Sequence, residues 1–151
     1  MIIVLFGQPH SGKTTLAEKL YEEIDERYTS HHIDGDKLRD LFKNKDYSRE
    51  GRIKNLNKAS DIATYLESFG DTVIVSMVYP YKEARAYLNS LCDDVKWIHL
   101  SYDGIRGREA FHVEDFDAPI GENCIQLNTE MPIEGCIKLI KTYINEYTSK
   151  G

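Results

Sequence analysis

Near its start the chain passes from an unbroken apolar run, Ile2-Ile3-Val4-Leu5-Phe6, into Gly7-Gln8-Pro9-His10-Ser11-Gly12-Lys13-Thr14. A helical pattern follows, with Leu16, Leu20 and Ile24 on one face. A continuous β-branched run reads as a strand buried on both faces, as in a parallel sheet. The turn between strand and helix matches G-x-x-x-x-G-K-[ST]. Small residues at this spacing let successive backbone N–H groups point at a phosphate. The helix N-terminus adds its positive dipole end. Lys13 is placed to bridge β- and γ-phosphates, and the Thr14 hydroxyl to reach Mg²⁺. The whole stretch Gly7, Gln8, Pro9, His10, Ser11, Gly12, Lys13, Thr14 and Thr15 is therefore read as a nucleoside triphosphate cradle that works with Mg²⁺, and with no N-K-x-D-like guanine reader in the sequence the expected triphosphate is ATP. His10 stands among small residues, where an imidazole turned outward is the simplest arrangement. By itself the motif does not choose between a kinase, a GTPase and a motor.

The rest of the chain repeats the alternation. His31-His32-Ile33 reads as a second strand, and Asp34-Gly35-Asp36 caps a short helix carrying Leu38, Leu41 and Phe42. Residues 49–69 carry the longest helical pattern, stopped at Gly70. Thr72 to Val78 reads as a central strand, followed by a helix through about Leu91, a strand Val95 to Leu100 and a short strand Cys124 to Leu127. Pro132 opens a last helix whose face is Ile133, Ile137, Ile140 and Ile144. Strands alternating with helices predict an α/β fold of the P-loop NTPase type: three layers, α/β/α, around a mostly parallel five-stranded sheet. The length of 151 residues fits a single domain, 1–151, with a lid or loop over about 101–122.

Composition narrows the partners. A net charge of −6 argues against duplex DNA or an anionic membrane and leaves an anionic small ligand open. Cys92, Cys124 and Cys136 are odd in number and lack C-x-x-C spacing, which points to a reducing, cytoplasmic compartment. The apolar start is too short for a signal peptide or a membrane span. Oligomeric state stays open, a homodimer included.

Beyond the cradle, Asp34-Gly35-Asp36-x-x-Arg39 follows the second strand. Strand ends face the ligand crevice in such sheets. Two carboxylates beside a triphosphate suit orienting or deprotonating an attacking hydroxyl and organising Mg²⁺. The same residues would also serve as an ordinary helix cap with a solvated arginine. Arg52, Asn55 and Lys58 recur at a spacing of three on one helix face. Such a stripe fits an anionic acceptor as well as a solvated surface.

Together these residues resemble the adenylylsulfate (APS) kinase family. The family carries a similar cradle, then D-G-D-x-x-R, then F-S-x-x-x-R-x-x-N-x-x-R. Here Tyr47-Ser48 stands for the Phe-Ser, Arg52 and Asn55 are in register, and Lys58 takes the last position. The family's S-P-Y-R-x-x-R is Tyr79-Pro80-Tyr81-Lys82-Glu83-Ala84-Arg85. The resemblance implies transfer of the ATP γ-phosphate to the ribose 3′-hydroxyl of APS, a step of sulfate assimilation. It makes Asp36 the base or Mg²⁺ organiser, supported by Asp34. Arg39, Arg52 and Asn55 would hold the acceptor's phosphosulfate and ribose, and Tyr47 would stack on its base.

Two departures stand out. Tyr79 replaces the family's serine. The family's R-D-x-K-G-L-Y lid is absent, and Ser101-Tyr102-Asp103-Gly104-Ile105-Arg106-Gly107-Arg108-Glu109 stands in its place. Arg106 and Arg108 are the basic residues left to supply a lid cation, and Phe111 is placed to be a second aromatic against the acceptor base. Tyr79 and the rewritten lid keep open another nucleotide or a sugar as acceptor. A module that binds ATP without transferring it is the reading from another class.

Overall fold

Alternate residues of the first strand divide between two cores. In the computed structural model, which describes residues 1–9, 11–24, 29–102 and 112–149, β1 (Ile2–Phe6) sends Ile2, Val4 and Phe6 to one face of the sheet and Ile3 and Leu5 to the other. All five are buried, which explains why the run is apolar without interruption.

The order of elements is β1, α1 (Lys13–Glu23), β2 (Ser30–Asp34), α2 (Gly35–Phe42), α3 (Arg49–Glu67), β3 (Thr72–Ser76), α4 (Lys82–Leu91), β4 (Val95–Ser101), β5 (Cys124–Asn128) and α5 (Ile133–Ser149). The strands form one parallel sheet in the order β2-β3-β1-β4-β5. Leu16, Ala17 and Leu20 of α1 and Cys136, Ile137 and Ile140 of α5 pack on the Ile3 face. Leu56, Ala59 and Ala63 of α3 and Ala84 and Leu88 of α4 pack on the Phe6 face. The expected three-layer α/β/α architecture is present.

Asp34 acts as the cap that its position suggests, and Ser48 adds one that the sequence did not announce. Asp34 caps α2, accepting from the Lys37 N–H at 3.1 Å, and Ser48 caps α3, accepting from the Gly51 N–H at 3.2 Å. Some boundaries shift by a residue or two: β2 runs Ser30–Asp34, α3 stops at Glu67 rather than 69, and β3 stops at Ser76 rather than Val78. Hydrogen bonding to β1 goes on past Ser76, with the Met77 N–H on the Leu5 carbonyl at 3.3 Å and the Gly7 N–H on the Val78 carbonyl at 3.2 Å. It ends at Tyr79, whose φ of 43° turns the chain, and at Pro80, which has no N–H. No helix among the described residues is long and apolar enough to cross a membrane.

Candidate functional site

The C-terminal ends of β1, β2 and β3 open onto one crevice, the place where parallel sheets of this kind take ligands. The cradle lies there because Gly7 permits a close approach. A Cβ at Gly7 would stand 2.3 Å from the Leu100 carbonyl oxygen, and the residue's φ is 150°. Gly12, also left-handed at φ 86°, starts α1. Lys13 is buried, and its ammonium donates to the Gln8 carbonyl oxygen at 2.9 Å. The Ser11 hydroxyl is buried in the cradle without a hydrogen-bond partner.

Asp34 and Asp36 line the same cavity as Lys13 and Thr14. One oxygen of Asp34, Oδ1, accepts from the Thr14 hydroxyl at 3.2 Å and the Ser76 hydroxyl at 3.3 Å. The other caps α2. Asp36 sits in the first turn of that helix. The Thr14 hydroxyl and the two carboxylates are hard oxygen donors. They fit Mg²⁺, which binds through one or two carboxylates together with ligand phosphates.

The cavity, about 830 Å³, continues from the cradle to Arg39, Tyr47, Arg52 and Asn55. The size is that of a small-molecule site. Asn55 is buried, and its side-chain oxygen has no partner. A buried acceptor of this kind calls for a donor from a ligand or water. Arg39 does more than the sequence suggested. Its Nη1 donates to the Asn44 carbonyl at 3.2 Å, the Asn44 Oδ1 at 3.3 Å and the Asp46 carbonyl at 3.1 Å. Its guanidinium also lies 4.1 Å from the centre of the Tyr47 ring. Arg39 therefore builds the wall on which Tyr47 stands. Gly51 is needed for that wall, since a Cβ there would meet the Asp46 carbonyl oxygen at 2.4 Å. Hydrogen bonds from Ser48 hold the Asp46 carboxyl below the usual carboxylate range.

Two expectations are corrected. Lys58 does not continue the Arg52–Asn55 stripe into the cavity. It turns to the Phe42 ring, with its ammonium 4.2 Å from the ring centre. Tyr79 does not reshape the acceptor side. Its ring is fully buried against Trp97, at 5.3 Å between centres, and its hydroxyl pairs with the Ser60 hydroxyl at 2.9 Å. His10, Arg106, Arg108 and Phe111 lie outside the described residues.

Three features were not read from the sequence. The Gln8 side chain donates to the Val113 carbonyl at 2.8 Å and accepts from the Val113 N–H at 2.9 Å. Arg85 is buried and ties α4 to Glu122, Asp117 and Tyr79. His32 pairs with Ser76 behind Asp34 at 2.8 Å. The period-two register of β2 puts His32 and Asp34 on one face, and that is the signal that could have found the third.

Known proteins resemble this chain in sequence and in fold. The sequence profile of the adenylylsulphate kinase family matches residues 1–104. The cytidine diphosphoramidate kinase of Campylobacter jejuni is 37% identical over 103 residues, which are 68% of this chain and 61% of that protein. A probable adenylyl-sulfate kinase of Aeropyrum pernix is 34% identical over 96 residues, covering 62% of this chain and 52% of the relative. The chain thus covers less than two thirds of either relative's length. Among solved structures, the Mycobacterium tuberculosis APS kinase in complex with AMPPNP and APS superposes with a TM-score of 0.81 at 19% identity, covering 95% of this chain and 96% of that one. That likeness is one of fold. With the family profile spanning most of its length, the chain belongs to the adenylylsulphate kinase family.

Proposed function

We propose that this chain is an ATP-dependent phosphotransferase that moves the γ-phosphate onto the ribose 3′-hydroxyl of a nucleotide acceptor, adenylylsulfate in the first reading. The observation that carries the proposal is the single cavity joining the triphosphate cradle to Asp36, Arg52 and Asn55. A site for ATP alone has no use for a second polar wall. Lys13, Arg39, Lys43, Lys45 and Arg52 line it against the carboxylates of Asp34, Asp36 and Asp40, five basic groups to three acidic ones. That balance suits a polyanionic pair of ligands in a chain whose net charge is −6.

In this reading the backbone N–H groups of Gly7–Thr15 and the Lys13 ammonium hold the triphosphate. Thr14 and Asp34 would hold Mg²⁺, which would neutralise charge on the β- and γ-phosphates, leaving Asp36 free to act as base. Arg52 and Asn55 hold the acceptor, and Tyr47, backed by Arg39, offers its ring to the acceptor base. Asp36 takes the proton of the attacking hydroxyl. That oxygen forms a bond to the γ-phosphorus as the bond to the β–γ bridging oxygen breaks, and ADP leaves. Arg106 and Arg108 are proposed to stabilise the transferring group and Phe111 to cover the base. With adenylylsulfate as acceptor, the reaction serves cytoplasmic sulfate assimilation.

The 37% relative that acts on cytidine diphosphoramidate supports a second reading, in which the acceptor is a cytosine nucleotide. Incubating the chain with ATP, Mg²⁺ and each acceptor, and resolving the products by mass spectrometry, tests both. A 3′-phosphorylated adenylylsulfate supports the first reading, and product from the cytidine compound alone supports the second. ATP bound without transfer to either acceptor overturns both. Asp36→Asn is expected to lower turnover about a hundredfold or more, the usual worth of a general base, with ATP affinity little changed.

A further inference from the structure

The carboxylate of Asp34 does not stand alone at the end of β2. Parallel register sets Asp34 beside Ser76 and His32 beside Ile74. His32, Asp34 and Ser76 thus share the sheet face that looks toward α1. The Ser76 hydroxyl, 3% exposed for the residue as a whole, donates its one proton to Asp34 Oδ1 at 3.3 Å. Its oxygen must then accept from His32 Nε2, 2.8 Å away. This direction holds for the Nε2–H tautomer and for the imidazolium alike. The Thr14 hydroxyl donates to the same Oδ1 at 3.2 Å. The Lys37 N–H fixes Oδ2 at 3.1 Å. A single chain of hydrogen bonds therefore runs from His32 through Ser76 and Asp34 to the cradle hydroxyl on α1. With its proton spent, the Thr14 oxygen has lone pairs left to offer a cation.

We propose that His32 is a positioning residue of the nucleotide site, which holds Asp34 through Ser76 so that the Asp34 carboxylate and the Thr14 hydroxyl present a preset oxygen pair to a triphosphate-bound divalent cation. The proposal rests on the triphosphate reading of the cradle. His32 does not line the cavity and touches no reacting atom. It acts only through the serine, as partners behind metal-binding groups do.

The test is equilibrium binding of ATP to the full chain with Mg²⁺ and with EDTA, which needs no acceptor. His32→Leu removes the donor, His32→Gln keeps an N–H at the same reach, and Ser76→Ala cuts the chain one link later. His32→Leu is expected to weaken Mg²⁺-dependent ATP binding about tenfold while metal-free binding is unchanged. His32→Gln should restore most of that loss. The His32→Leu/Ser76→Ala double variant should lose no more than the worse single one, because both cut the same chain. Equal losses with and without Mg²⁺, no rescue by glutamine, additive losses, or no loss at all would each overturn the proposal. If His32→Leu does not fold, Ser76→Ala carries the same comparison, since it removes one oxygen. A wild-type chain that binds Mg²⁺-ATP but phosphorylates no acceptor overturns the transferase reading alone. A wild-type chain that binds no ATP overturns both.

Discussion

At Tyr79 the backbone is left-handed, with φ 43°, and the side chain is buried entirely. From sequence the position drew attention because the family carries serine there. In the fold, the ring packs edge-on against Trp97 and the hydroxyl meets Ser60. Burial pushes the phenol above its ordinary pKa range. The residue is a core element behind the site. Tyr79→Ser, which installs the family's residue, is expected to cost about 3–5 kcal/mol of stability through the lost ring. Tyr79→Phe should cost only about 1 kcal/mol, the worth of a hydrogen bond. Urea unfolding of the two variants measures both. The acceptor KM of Tyr79→Phe should stay at the wild-type value. Sequence could not show this, because the direction of one side chain at the end of a strand depends on where the strand stops.

Among the elements, α4 does more than cover the sheet. Arg85 is 1% exposed, and its guanidinium grips both oxygens of Glu122 at 2.8 and 2.9 Å. It also donates to the Tyr79 and Asp117 carbonyls, each at 2.8 Å. The Lys82 N–H meets the Asp117 carboxylate at 3.0 Å, and Arg49 bonds Glu83 and stacks on Tyr81 at 4.1 Å. The N-terminal end of α4 is thus the anchor of the stretch 112–122. Gln8 binds that stretch to the cradle at Val113. Arg85→Ala is expected to destabilise the chain by about 1–3 kcal/mol, because it leaves the carbonyl of buried Tyr79 without its donor. Hydrogen exchange should also show faster opening of residues 115–122 than of β3. Protection unchanged in that stretch would remove the anchoring role. The helix itself was legible from its apolar spacing. Its anchoring role was not, because Arg85 and Glu122 are 37 positions apart and the Gln8–Val113 pair 105.

For the molecule as a whole, acid should be the weak side of its stability. His32 and His99 both lie below the ordinary histidine pKa, chiefly through burial. Above about pH 6.5 both the folded and the unfolded chain carry these rings neutral. As pH falls through that value the unfolded chain binds protons first, so stability declines until the folded rings protonate in turn. Urea midpoints at pH 7.5 and 5.5 should fall in that order. His99→Gln should reduce the difference, since it removes one of the two groups. At this scale the sequence by itself determined the parallel α/β layering, the cradle Gly7–Thr15 and the Asp34–Asp36 pair. These are written in local order: an apolar run, a glycine-rich turn, a cap at fixed spacing. Only the tertiary structure decided that Arg39 supports Tyr47, that Lys58 turns away, that Tyr79 belongs to the core and that His32 stands behind Asp34. Each of those follows from which strand lies beside which and where each strand ends. Pairing between distant segments sets both, and local propensity does not encode it.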